Sequence, residues 1–158
     1  MQKIDDIDTQ KIMGIYPILT SEGLYESGHP YALKFISVFD HWLTEDEAKN
    51  YFIEDLESGY FEKLYNFYLR LFDNYACCQV IEGEDSNAIL FNFDSKNEFI
   101  EAVKNSISGT EFVRLLIPDL KIMIDGGFDF TLPIFYDEIT DLDTFMNFIK
   151  ESELFLLS

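Results

Sequence analysis

The stretch that most constrains the fold is Leu120–Tyr136, LKIMIDGGFDFTLPIFY. Two apolar runs, Lys121–Ile124 and Phe130–Tyr136, flank Asp125-Gly126-Gly127. Strand-forming runs on either side of such a turn signal predict a β-hairpin. This is the most apolar and most strand-like stretch in the chain, so the hairpin is expected at the centre of the fold.

The segments around it extend that reading. Ala76–Ile81 and Ala88–Phe93 read as strands joined by the polar linker Glu82–Asn87, a further hairpin. Asp94-Ser95 starts a helix over Lys96–Ile107, with Phe99, Ile100 and Val103 on one side, and Ser108-Gly109 ends it. Thr110–Ile117 reads as either helical or extended and stops at Pro118. Past the central hairpin, Leu142, Phe145, Met146 and Ile149 form the stripe of an amphipathic helix over Thr140–Ser152, and Glu153–Leu157 closes the chain as a strand. The order β-β-α-(α)-β-β-α-β predicts a mainly antiparallel sheet covered by helices.

The N-terminal half reads as richer in helix. Residues 1–10 are polar and expected to fray. Lys11–Leu19, interrupted by Gly14 and Pro17, reads as a short edge strand or an irregular packed segment, and Thr20–His29 as a loop. In Pro30–Leu43 the apolar residues at 32, 35, 36, 39, 42 and 43 fit one helix face, and Pro30 suits a first helical position. The β-branched and aromatic content also fits a strand; helix is the preferred expectation. Thr44-Glu45-Asp46-Glu47 is a capping box with acids in the first turn, and it predicts a helix that buries Tyr51, Phe52 and Leu56. After Ser58-Gly59, aromatic and aliphatic residues recur at three- and four-residue steps, which predicts a second helix over Tyr60–Tyr75. The expected fold class is α+β, one domain over 1–158, with a helix-rich N-terminal half.

Charge bounds the function. The 158 residues carry 30 Asp+Glu against 11 Lys+Arg, a net charge of −19. The acids run from Asp5 to Glu153 rather than forming a tail. Hydrophobic residues make up 47% and aromatics 16%, enough for a packed core despite the charge. A folded body this acidic repels nucleic acid and anionic membrane and attracts basic partners. A high negative charge also keeps small proteins soluble, so the acidity has two readings. The first ten residues lack the apolar core of a signal peptide, and no run approaches the roughly 20 apolar residues of a membrane span, so the cytoplasm is the expected location.

No motif assigns catalysis. The two histidines, His29 and His41, cannot make a three-histidine zinc site, and no H-E-x-x-H is present. Cys77 and Cys78 are adjacent; in an extended strand they face opposite ways, which disfavours a bridge between them. Gly126-Gly127 lacks the phosphate-loop frame, and an anion there would meet Asp125 and Asp129. The acid clusters Glu45/Asp46/Glu47, Glu84/Asp85 and Asp141/Asp143 do not match a calcium loop, and two of the three sit where helix starts favour acids. The aromatics of Tyr60–Phe72 lack the basic groove that a base-stacking platform needs. No catalytic residue, metal or cofactor is assigned.

Small size, heavy acidity, α+β order and the hairpin Asp125-Gly126-Gly127-Phe128-Asp129-Phe130, followed by a helix and a closing strand, resemble bacterial immunity proteins. Those are the cognate inhibitors of secreted or contact-dependent toxins, many of them nucleases. The resemblance implies a non-enzymatic inhibitor that binds one basic toxin domain, without binding nucleic acid or membrane itself. A second resemblance, resting on charge, is to acidic DNA mimics that block restriction enzymes. The expected contacts are exposed acids on helix faces and turns, Glu45, Glu47, Glu54, Asp55, Glu57, Glu84 and Asp85, with Tyr51 and Tyr60 as aromatic anchors. Two other classes stay open: a ligand-binding or enzymatic α+β domain with no recognisable motif, and a homo-oligomeric structural or regulatory module.

Overall fold

The hairpin expected at Leu120–Tyr136 forms inside an eight-stranded antiparallel sheet. The computed structural model describes residues 1–15, 24, 30–54, 59–83, 88–127, 129–138 and 142–158, without the side chains of 13–15 and 51–54. The strands are β1 (Gln2–Lys3), β2 (Ala32–Ser37), β3 (Cys78–Glu82), β4 (Ala88–Asn92), β5 (Arg114–Ile117), β6 (Ile122–Asp125), β7 (Thr131–Tyr136) and β8 (Phe155–Leu157). Among the described residues the helices are α1 (Asp6–Ile15), α2 (Glu45–Glu54), α3 (Tyr60–Asn74), α4 (Lys96–Ile107) and α5 (Asp143–Glu151). The strand order is β1-β4-β3-β5-β6-β7-β2-β8, and every pair is antiparallel.

The β6–β7 hairpin is interior to the sheet, with Ile122↔Tyr136, Met123↔Phe135 and Ile124↔Ile134 in register. Because side chains alternate across a strand, this register sends Ile122, Ile124 and Ile134 to one face and Met123 and Phe135 to the other. The first face packs on α3, α4 and α5 through Leu64, Phe67, Leu71, Phe99, Val103, Phe145 and Ile149. The second face packs on Ile4, Ile12, Leu24 and Tyr31. Both faces of the central strands are thus covered, which is why those strands read as continuous apolar runs rather than alternating ones. The expected hairpin β3–β4 also forms, pairing Glu82 with Ala88, and α4 starts on Ser95, whose side chain accepts from the Glu98 N–H. Thr110–Ile117, read as either helical or extended, contributes strand β5. Of the expected stripe on α5, Phe145 and Ile149 are buried while Met146 is exposed; the expected start at Thr140 lies outside the described residues.

The N-terminal half differs from expectation. Pro30–Leu43 is not a helix: Ala32–Ser37 is strand β2, paired with β7 on one side and β8 on the other. Its apolar spacing fits a helix face as well as a strand buried between two neighbours, and only the pairing partners decide. Lys11–Ile15 is the end of helix α1 rather than a strand. That helix begins in the polar residues expected to fray, with Asp5 Oδ1 accepting from the Asp8 N–H at 2.8 Å as its cap. Residues 2–3 pair with β4 as β1. The first half therefore supplies two strands of the sheet and does not form a separate helical layer beside it.

Candidate functional site

The site grows out of the far end of β2. The registers Ser37↔Thr131, Arg114↔Asp125 and Val80↔Arg114 bring the C-terminal ends of β2 and β6, the N-terminal ends of β5 and β7 and the tip of β3 to one end of the sheet. There the chain leaves β2 as Val38-Phe39-Asp40-His41-Trp42-Leu43 and enters α2 through the capping box. The Thr44 N–H and hydroxyl both donate to Glu47 Oε2, at 2.9 and 2.8 Å, and the Glu47 N–H donates back to Thr44 Oγ1 at 3.4 Å. That reciprocal pair fixes where α2 begins and where the Glu47 carboxylate points.

A cavity of about 190 Å3 opens beside this turn. Its wall is aromatic: Phe39, Trp42, Tyr60 and Phe130, with Leu43, Ala48 and Leu157. Tyr60 is half-buried between Phe39 and Phe130, with ring centroids 5.2 and 5.7 Å away. Gly59, at φ 69°, takes the left-handed turn that starts α3 and delivers Tyr60 to this place. Trp42 stands edge-on to Phe35 at 4.8 Å, and its indole N–H donates to the Ser158 backbone oxygen at 3.0 Å. The ring is pinned but 51% exposed. At the base, the Ser37 and Thr131 hydroxyls lie 3.3 Å apart, and Ser37 Oγ accepts from the Phe39 N–H.

The rim is acidic. Asp129 lines the cavity, and its Oδ1 accepts from the Thr131 N–H at 3.2 Å, which orients the carboxylate. His41 Nδ1 is 2.6 Å from Asp40 Oδ1, and Nε2 is 3.4 Å from Glu47 Oε1. The two carboxylates, Asp40 first, raise the His41 pKa above its ordinary value. Glu47 is held below the usual carboxylate range, chiefly by the Thr44 backbone N–H and then by its hydroxyl. Among the described residues no Lys or Arg lines the cavity, although His41 does, and Lys49 nearby is engaged by Glu45 at 2.7 Å.

A second, more open groove of about 440 Å3 lies along the same sheet end at Gln79–Glu82, Glu111, Phe112 and Arg114. Among the described residues its one cation, Arg114, is committed to Asp125 inside and to Glu82 Oε1, 3.4 Å away, at the groove. Arg114 is 2% exposed and grips Asp125 bidentately, Nε to Oδ1 at 2.5 Å and Nη2 to Oδ2 at 2.9 Å. Phe112 covers the guanidinium with its ring centroid 5.6 Å away.

The expected contacts divide clearly. Glu45, exposed, and Glu47, half-buried, sit on the first turn of α2 beside the cavity, and Tyr60 is part of its wall. Tyr51 and Glu54 lie on α2, but their side chains are not described. Asp55, Glu57, Glu84 and Asp85 lie outside the described residues, although Glu82 and Ala88, which flank the last two, reach this same sheet end. Trp42, Phe39, Phe130, Asp40 and Asp129 were not expected here. The available signal was a lone tryptophan next to Asp40-His41.

The cysteines face opposite cores, Cys77 toward the helices and Cys78 toward the second face. Burial pushes Cys77 up to about 12 and Cys78 up to about 11, so both stay as thiols at neutral pH. Among the described residues, no three His, Cys, Asp or Glu side chains are grouped to hold a metal ion, and no helix is long and apolar enough to cross a membrane. No protein-family model, curated protein or solved structure matches the chain at a significant level.

Proposed function

We propose that this chain is a stoichiometric acidic inhibitor of the immunity type, which neutralises a basic protein by docking it on the cavity end of the sheet. The observation that carries this reading is a conjunction at one place on a body of charge −19: an aromatic-walled cavity, a pinned but exposed tryptophan, and fixed acids at the rim. Each part has a distinct task. Long-range charge raises the rate of encounter with a cationic partner by about 10–10³-fold. Desolvated aromatics set how long the complex lasts, and rim acids set orientation and reject wrong partners.

The resemblance to bacterial immunity proteins supplies the partner class, a toxin domain acting in the cytoplasm. A nuclease fits best, since its cleft carries Lys and Arg for phosphates and a rigid array of carboxylates can occupy it. Tyr60 supports the reading because its ring is held on both sides, so little side-chain entropy is lost on docking.

The test is capture from the parent cells with the wild-type chain and a Trp42→Ala chain as baits, followed by reconstitution with the purified partner. A cationic protein held 1:1 by the wild type and weakly by the variant is expected. Its association rate should fall at least tenfold between 50 and 500 mM salt, roughly as screening shortens the Debye length from above 10 Å to a few ångströms. A salt-insensitive rate, or the absence of any cationic protein among the captured species, overturns the proposal.

A further inference from the structure

The cavity volume decides what kind of group can enter. At about 190 Å3 it is smaller than the roughly 300–1,000 Å3 of sites that enclose a whole small molecule. It fits one side chain. Its wall offers π-faces and methyl groups, and the hydroxyls at its base are already engaged with each other and with the Phe39 amide. Besides Tyr60, two ionisable groups among the described residues line it: His41, held between Asp40 and Glu47, and Asp129, whose Oδ2 has no hydrogen bond among them. Asp40 and Glu47 stand outside, fixed on His41. An aromatic wall with a carboxylate at its rim suits a planar cationic group that stacks on the rings while it pairs at the mouth.

Resting on the reading above, we propose that this cavity is the seat for one arginine side chain of the basic partner. The guanidinium stacks on the aromatic wall near the mouth and pairs there with Asp129. Arginine fits better than lysine for a physical reason. The guanidinium is planar and weakly hydrated, and it stacks on aromatic rings while keeping in-plane donors for a carboxylate. The ammonium of lysine is strongly hydrated and would lose more water on packing against an aromatic wall. The wall is assembled before the ligand arrives: Tyr60 is held by two rings and Trp42 by its bond to Ser158, so the seat is preorganised.

The sequence provides its own reporter, since Trp42 is the single tryptophan of the chain and lines the cavity. Tryptophan fluorescence is followed while n-butylguanidinium, n-butylammonium or n-pentanol is added at constant ionic strength. The expected result is a saturable change with n-butylguanidinium, a weaker response with n-butylammonium, and none that saturates with n-pentanol. Asp129→Asn should weaken n-butylguanidinium by roughly fivefold, as for one partly exposed ion pair, with an unchanged unfolding midpoint as the folding control. Equal binding of n-pentanol, no saturation with any probe, or an unaltered affinity in Asp129→Asn each overturns the seat.

The two proposals fail separately. If n-butylguanidinium binds and no basic protein is captured, the seat stands and the partner reading falls. If a basic partner binds the Asp129→Asn and Tyr60→Ala chains as tightly as the wild type, the partner reading stands and the seat falls.

Discussion

At the scale of single residues, the most consequential pair is Arg114 and Asp125. In the sequence Asp125 opens a turn signal; in the structure it is the last residue of β6, 0% exposed, and it carries the guanidinium of Arg114. Two ions taken out of water depend chiefly on each other, with the exposed Glu82 carboxylate 3.4 Å from Arg114 Nη1 as a weaker second partner. Asp125→Ala should therefore cost about 3–5 kcal/mol in urea unfolding, while the double change Arg114→Met with Asp125→Leu should recover most of it. Equal losses in the single and double variants would show that the site cannot accept an apolar pair. The pair was hidden in the sequence because an Arg and an Asp 11 positions apart are among many such combinations in a chain with 30 acids. Only the register Arg114↔Asp125 selects this one. The same holds for Trp42 and Asp129, which come from β2's exit and the β6–β7 connection.

Elements were legible where local chemistry alone specifies them. The capping box at Thr44–Glu47, the Ser95 start of α4 and the β3–β4 and β6–β7 hairpins could all be read from neighbouring residues, and all are present. β2 was misread because its neighbours in space lie far along the chain. Thr44→Ala tests the first of these: loss of about 0.5–2 kcal/mol is expected, with faster amide exchange concentrated in α2. The connection of the central hairpin tests another. Its glycines are required for space, since neither Gly126 nor Gly127 has a positive φ. A Cβ on Gly126 would sit 2.3 Å from Ser106 Oγ, a hydroxyl that can rotate; on Gly127 it would sit 1.7 Å from the Thr131 backbone oxygen, which cannot. Gly126→Ala should cost about 1–3 kcal/mol and Gly127→Ala clearly more, as read from unfolding midpoints. The reverse order would mean that the connection, and not β7, gives way.

For the molecule as a whole, the acid rim ties the proposed cation binding to pH. His41 faces Asp40 and Glu47, and Asp129 lines the cavity beside them. The folded-state pKa of His41 is raised above its ordinary 6.5, so its pairing stabilises the fold fully below that value. The contribution is lost as pH rises through the higher folded value, while the rim loses the positive charge of the imidazolium. Fold stability and affinity for a cation should therefore move in opposite directions across this window. n-Butylguanidinium should bind more tightly at pH 8.5 than at pH 6, and His41→Gln should flatten both trends; a pH-independent affinity in the wild type would remove His41 from the rim's electrostatics. How the sheet is wired has a consequence of another kind. β2 lies between β7 and β8, so Ser37 must wait for Thr131 and Phe155 before it has any partner in the sheet. Contacts this distant along the chain make folding slow. On the ribosome, the aromatic wall cannot close while β7 and β8 are still unmade. A nascent chain therefore lacks the closed aromatic wall until Leu157 has left the ribosome, and a product truncated before β7 would carry most of the acids without the cavity.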